Sequence, residues 1–325
     1  MALRRFVRWA GILVGVVVLL ALAGLAVTEV RWKRHFDAPY PATAATMDPA
    51  VVERGQYLVY GPAACAYCHV PRSEWARLAQ GELLPLTGDH VFPLPFGEIR
   101  SANITPDRVT GIGGRTDREL ARILRYGVRA DGRAAVPLME FELTDDDLTA
   151  VISFLRSRAG LPHAVPEHRL TRLGKALMSF AITPKGPSAA PAHASPTGPS
   201  VQRGEYLAND VSSCVACHTD RGGDGALVGP KFSGGQRMDV AADASRVFVT
   251  PNLTPDPATS PIGQWTEEVF IARFRRGELI PGTPMPWGAY SRMTDDDLRG
   301  VFRYLKSLPQ TSKVTGPAVQ DKKSD

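Results

Sequence analysis

Cysteine and methionine are both scarce in this chain, and strand signals are sparse. Of 325 residues, four are Cys and seven are Met. The 27 Pro and 30 Gly follow no period, which excludes collagen-like repetition. With 22% charged residues, a polytopic membrane protein is excluded too. The body of the chain carries no excess of either charge. Residues 51–160 hold 13 Lys/Arg against 14 Asp/Glu, and residues 200–309 hold 12 against 13. The net charge of +5 comes instead from the first 50 residues, the stretch 161–199 and the tail. A nucleic-acid binder concentrates basic charge on a folded domain, so no nucleic-acid partner is expected.

One long apolar run is present. Trp9 to Val27 is unbroken by any charge and is flanked by Arg4, Arg5 and Arg8 and by Arg31, Lys33 and Arg34. At about 1.5 Å per residue a helix of this length crosses a hydrocarbon core of about 30 Å. The rival reading is a cleaved signal, for which Ala21-Leu22-Ala23 offers a site. A signal core usually runs only about 7–15 residues, which favours a retained anchor.

Self-similarity organises the rest. Val52-Glu53-Arg54-Gly55-Gln56-Tyr57-Leu58 recurs at 201–207, Cys65-Ala66-Tyr67-Cys68-His69 at 214–218, and Asn103-Ile104-Thr105-Pro106-Asp107 at 252–256, each offset by 149 residues. Leu143-Thr144-Asp145-Asp146-Asp147-Leu148 recurs at 293–298, offset by 150. Four blocks in one order mark a duplicated domain. The expected organisation is 1–35 anchor or signal with its flanks, 50–160 domain one, 161–199 linker, 200–309 domain two and 310–325 a polar, frayed tail. Within the linker, Glu167 to Phe180 has a weak helical pattern, and Thr183 to Ser200 reads as a semi-extended connection. Each domain is expected to be mainly helical. A helix bears the Arg-Gly-x-Tyr-Leu block, a middle helix starts at Thr116 or Thr266, and an amphipathic last helix is capped by Thr144 or Thr294. The aspartates after those threonines read as helix starts rather than metal ligands.

Cys-x-x-Cys-His is the attachment motif of c-type haem. Two thiols reach two vinyl groups on one edge of the macrocycle, and the next residue ligates the iron. Zinc would pair two such motifs within one fold, and thioredoxin-like chemistry needs a βαβ setting. Here each motif sits in its own repeat, so Cys65, Cys68, Cys214 and Cys217 are assigned to two covalent haems, with His69 and His218 as axial ligands. Haem attachment of this kind takes place outside the cytoplasm in bacteria, which implies an N-in, C-out topology. An electron-transfer iron wants its sixth position filled, and Met is the common partner of His. The candidates are Met139, in Pro137-Leu138-Met139 just before the last helix, and Met285, in Pro284-Met285-Pro286-Trp287. Met293 aligns with Leu143 and reads as an apolar residue before a helix cap. Met238 follows His218 closely and precedes the Asn-x-Thr-Pro-Asp loop, so it is set aside. His90, His163, His168 and His193 are the alternative ligands.

With these residues in hand, the chain resembles a dihaem member of the class I cytochrome c superfamily. It is similar in particular to the cytochrome c subunits of membrane-bound alcohol, aldehyde and gluconate dehydrogenases. Arg-Gly-x-Tyr-Leu, Cys-x-x-Cys-His, Asn-x-Thr-Pro-Asp, the turns at 111–113 and 261–263 and the Met-bearing loops carry the resemblance. Those subunits usually hold three haem motifs and this chain holds two. The resemblance implies an all-α fold of two tandem class I cytochrome c domains behind one transmembrane helix. It also implies electron carriage, rather than catalysis, from a dehydrogenase or quinol to a cytochrome or oxidase. The competing class is a dihaem enzyme such as a cytochrome c peroxidase, which needs one openable iron. Two near-equivalent repeats, each with its own Met, argue against that asymmetry. The Asn-x-Thr sequences at 103 and 252 read as structural loops beside the haem rather than glycosylation sites.

Overall fold

The computed structural model describes residues 2–135, 141–223, 225–240 and 243–322. Helix α1, Ala2–Arg31, has its apolar side chains exposed and is long and apolar enough to cross a membrane. The chain that leaves it is strapped along the first repeat. The Phe36 amide donates to Gly132 O at 2.7 Å, Arg122 donates to the Tyr40 hydroxyl at 2.8 Å, and the Ala45 amide donates to Asp117 Oδ2 at 2.7 Å.

The first repeat then builds α2 (Pro49–Tyr60), α3 (Cys65–His69), α4 (Trp75–Ala79), α5 (Asp117–Tyr126) and α6 (Asp145–Ser157). Asp48 caps α2 ahead of a proline at the first helical position, where a missing N–H costs nothing. Thr116 and Glu119 form the full capping box of α5. Helices α2 and α6 cross at Gly55, where an added Cβ would lie 1.9 Å from Ala150 O. Leu58, Val59, Leu148, Ile152 and Phe154 fill the core they enclose.

Segment 161–199 contains α7 (Arg172–Phe180), capped by Thr171 within the stretch expected to be helical. It packs on the end of α1: Arg31 Nε donates to Ser179 O at 3.0 Å, and Lys175 pairs with Glu29 at 2.6 Å. The second repeat follows with α8 (Val201–Tyr206), extended by a π-helical stretch Leu207–Val211, then α9 (Cys214–His218), α10 (Pro261–Gln264), α11 (Glu267–Arg275), α12 (Trp287–Tyr290) and α13 (Asp295–Ser307). Helices α8 and α13 cross at Gly204 as α2 and α6 do at Gly55, with a Cβ 1.9 Å from Gly300 O. Thr144 and Thr294 accept from the amides of Asp147 and Asp297, so both acidic triplets are helix starts.

Helices carry the core, but the all-α expectation needs correcting. Strands β1 (Val91–Leu94), β2 (Gly97–Arg100) and β3 (Arg169–Leu170) form one antiparallel sheet in that order. Strands β4 (Asp220–Arg221) and β5 (Leu227–Val228) pair by themselves. Strands β6 (Arg237–Val240), β7 (Asp243–Val249) and β8 (Val319–Asp321) repeat the first arrangement. In both large sheets a hairpin inserted after the Cys-x-x-Cys-His helix receives its third strand from chain beyond the last helix. The tail expected to fray therefore contains β8, and the linker contains β3. Except for β7 these strands are only two to four residues long, too short for a clear period-two pattern.

The two repeats meet through a reciprocal contact. The Tyr57 hydroxyl donates to Asp297 Oδ2 at 2.5 Å and accepts from the Thr294 amide at 3.1 Å. Asp297 is already paired with Arg203 of its own repeat through contacts of 2.8 and 3.0 Å. The counterpart is built the same way. The Tyr206 hydroxyl donates to Asp147 Oδ2 at 2.8 Å and accepts from the Thr144 amide at 3.2 Å, while Arg54 pairs with Asp147 at 2.8 and 2.9 Å. Each repeat thus inserts a tyrosine from its first helix into the start of the other's last helix.

Candidate haem centres

Both attachment helices begin after a non-glycine residue in the left-handed region: Ala64 at φ 51°, ψ 24° and Ser213 at φ 49°, ψ 34°. Such a conformation is uncommon without glycine and persists only where its surroundings enforce it. It turns the chain abruptly into a single helical turn. There Cys65 and Cys68, or Cys214 and Cys217, are spaced i to i+3 and so share a face, and the histidine follows at once. The four cysteines are unpaired thiols, and Cys217 is the most exposed. Burial, followed by the neighbouring cysteine, pushes Cys65 and Cys214 up to about 12, and burial pushes Cys68 up to about 11. Both effects favour the neutral thiol in the folded chain.

The histidines are buried, at 6% and 9% exposure. Nδ1 of His69 lies 2.7 Å from Ala102 O, and Nδ1 of His218 lies 3.2 Å from Pro251 O. A carbonyl can only accept, so Nδ1 carries the proton and Nε2 keeps its lone pair for a metal. Burial lowers both histidine pKa values, against the opposing effect of these hydrogen bonds, and so favours the neutral ligand form.

The supporting carbonyls immediately precede Asn103 and Asn252. Both asparagines are buried, and they tie their loops to the chain leaving the last helix. Asn103 Nδ2 donates to Leu161 O at 2.9 Å, and Asn252 Nδ2 donates to Thr311 O at 2.8 Å. Asp107 and Asp256 close the same loops by accepting from the amide and hydroxyl of Thr110 and Thr259. The Asn-x-Thr sequences therefore fix the carbonyls that support His69 and His218.

Two further residues escaped the sequence reading. The amides of Gly88 and Gly234 donate to the carbonyls of His69 and His218, both at 2.8 Å. They sit at φ 78° and 67°, and a Cβ on either would fall 2.4 Å from the carbonyl that supports the histidine. Only glycine fits there. Their offset is 146 rather than 149, so alignment of the repeats hides the equivalence.

Met139 lies outside the described residues. Met285 is half-buried against the core between Pro284 and Pro286, and the Trp287 amide that opens α12 donates to its carbonyl at 2.8 Å. Met293 is 3% exposed and buried in the core, as its alignment with Leu143 implies. Met238 lies on β6. His90 is buried between Trp75 and Phe92, with ring centroids at 5.0 and 4.4 Å. His163 lies within 3.8 Å of Asp89, His168 accepts from the Arg100 amide, and His193 is exposed beside Asp145.

The fold brings the two attachment motifs together. The hydroxyl of Tyr290 donates to Ser212 O at 2.9 Å, next to the left-handed residue of the second motif. Burial foremost, then Cys214 and Cys217 of one motif and Cys68 of the other, raise its pKa well above the ordinary value. Gly288, two residues earlier on α12, lies against Tyr67 of the first motif, so this helix links the two.

Residues 199–305 match the family described as cytochrome c oxidase, cbb3-type, subunit III. Over 301 residues the chain is 31% identical to the alcohol dehydrogenase (quinone) cytochrome c subunit of Gluconacetobacter polyoxogenes, covering 84% of this chain and 59% of that protein. It is 27% identical over 301 residues to the fructose dehydrogenase cytochrome subunit of Gluconobacter japonicus, covering 88% of this chain and 57% of that protein. A diheme cytochrome c-type protein of Cereibacter sphaeroides is 26% identical over 272 residues, covering 77% of this chain and 84% of that protein. The resemblance is to c-type cytochromes. The chain spans less than two thirds of the length of the dehydrogenase subunits it matches. Its thiol pairs and Nδ1-anchored histidines fit covalent haem: each motif offers two sulfurs on one face and one imidazole nitrogen left for iron.

Proposed function

We propose that this protein is a membrane-anchored dihaem cytochrome c that carries electrons, made of two tandem class I cytochrome c domains, 50–160 and 200–309. Cys65 and Cys68 would hold the first haem, with His69 and Met139 as the residues that would ligate its iron. Cys214 and Cys217 would hold the second, with His218 and Met285. Haem supplies a one-electron couple at its iron. The protein's part is to fix the axial ligands, bury the site and orient each histidine through Ala102 or Pro251. With α1 in the inner membrane, the haem domains stand on the periplasmic side. Electrons arrive from a dehydrogenase or quinol and leave to a cytochrome or oxidase. The observation that carries this reading is the duplicated attachment geometry, left-handed residue, one-turn helix and supported histidine, with α12 packed between the two copies.

The test is purification from membranes in detergent. The pyridine haemochrome should give two haems per chain, and a quinol or the substrate of a co-purifying dehydrogenase should reduce both. One haem per chain would defeat the duplicated-carrier reading. A high-spin haem in the mixed-valence state, with turnover of hydrogen peroxide, would put a peroxidase in its place.

A further inference from the structure

The two motifs differ at their third position. The first has Tyr67 where the second has Ala216. Tyr67 reaches across the repeat boundary to α12. A Cβ on Gly288 would lie 2.1 Å from the Tyr67 hydroxyl, 3.2 Å from its ring carbon Cζ and 3.1 Å from Ala79 Cα. The ring is backed by Trp75 at 5.0 Å. Arg292, just beyond α12, donates to Leu78 O and lies over the Tyr60 ring at 5.6 Å. Tyr290 of the same helix donates to Ser212 O, two residues before Cys214 of the second motif. This short helix is therefore gripped by both haem sites, and it opens at Trp287, just after the Met285-Pro286 pair.

We propose that Tyr67, a residue of the first attachment motif, is a positioning residue for the second haem centre, seating α12 and hence the Met285 sulfur. This rests on Met285 being the sixth ligand. At the matching position the second motif has Ala216, whose side chain ends at Cβ.

The test uses the full-length haem-loaded protein in detergent, with haem content and Soret absorbance as controls for assembly. The readouts are the weak methionine–iron charge-transfer band and a spectroelectrochemical titration. Gly288→Ala places a methyl group on the Tyr67 hydroxyl. It should weaken the band by up to about half, one haem of two, and lower one of the two midpoint potentials. Adding Tyr67→Phe removes the oxygen that is struck and should restore both readouts. Tyr67→Ala, which withdraws the support altogether, should reproduce the Gly288→Ala effect and serves where that variant fails to assemble. Wild-type bands and potentials in Gly288→Ala and Tyr67→Ala overturn the proposal, as does a Gly288→Ala defect that Tyr67→Phe leaves in place. Met285→Leu, measured alongside, separates the causes. If it removes half the band while the Tyr67 and Gly288 variants do nothing, the positioning role alone falls. If it leaves the band whole, the ligand assignment falls and takes the positioning role with it.

Discussion

Cutting the reciprocal tyrosine contact should uncouple the two repeats while leaving each intact. Tyr57→Phe and Tyr206→Phe each delete one hydroxyl that donates across the boundary to a carboxylate, at 2.5 and 2.8 Å. The carboxylates keep their own arginines, Arg203 for Asp297 and Arg54 for Asp147, so neither repeat gains an unpaired charge. Burial first, and then the facing aspartate, hold both tyrosines far above their ordinary pKa, so each hydroxyl remains a donor at all working pH. A hydrogen bond to a charged group is worth about 1.5–3 kcal/mol. The double variant should then lose about 3–6 kcal/mol of coupling, twice that single-bond value. Urea unfolding of the purified protein, followed by tryptophan fluorescence and by the Soret band, measures it. With an m-value of about 3 kcal/mol/M, a loss of about 3 kcal/mol moves a midpoint by about 1 M. The double variant should also resolve into two transitions where the parent shows one. The reasoning fails if the double variant unfolds in one transition within about 0.5 kcal/mol of the parent, the scatter of a neutral surface change.

Three further outcomes follow from particular contacts. Gly55→Ala or Gly204→Ala drives a methyl group into a backbone carbonyl at 1.9 Å; each should cost about 3 kcal/mol or more, read as a lower denaturation midpoint. Asp210 is raised to about 6 by burial and then by Glu142 and Glu205. Its folded pKa therefore exceeds its unfolded value of 3.8, so it costs stability above pH 6, a cost that disappears as pH falls toward 4. Asp210→Asn should stabilise by about 1 kcal/mol at pH 7.5, discounted for the half-exposed site, and should do nothing near pH 4, as denaturant midpoints at both pH values will record. Met293→Leu should cost under about 1.5 kcal/mol and leave both haem spectra unchanged, because Met293 fills the core; loss of the methionine–iron band in this variant would transfer the sixth-ligand role to it.

What the sequence made legible was local. Thr116, Thr144, Thr266 and Thr294 announce helix starts through bonds to the amide three positions on, and each cap is present. Cys-x-x-Cys-His and the duplicated Asn-x-Thr-Pro-Asp loop carry their geometry within a short stretch of chain. What stayed hidden depends on distance along the chain. Strand β3 joins β2 from beyond the last helix of the first repeat, as β8 joins β7 from beyond the last helix of the second, and neither joining strand is long enough to have a pattern of its own. Tyr57 reads as one more aromatic on an amphipathic helix, since the aspartate it binds lies 240 residues further on. The supporting carbonyls of Ala102 and Pro251 are backbone atoms, which no side-chain pattern marks.

The strap between α1 and the first repeat bears on how the protein would meet a redox partner. Residues 32–46 would be long enough, if loose, to let the head roam over a wide arc. They are instead pinned at Phe36, Tyr40, Ala45 and Thr46, and α7 returns from the far end of the first repeat to brace the exit of α1. With α1 in a bilayer, the head is mounted at a fixed height and tilt rather than swinging on a leash. A redox protein in the same membrane then finds one face of it already presented, so the search is reduced to diffusion in two dimensions and rotation about the membrane normal. A soluble partner gains nothing from that restriction.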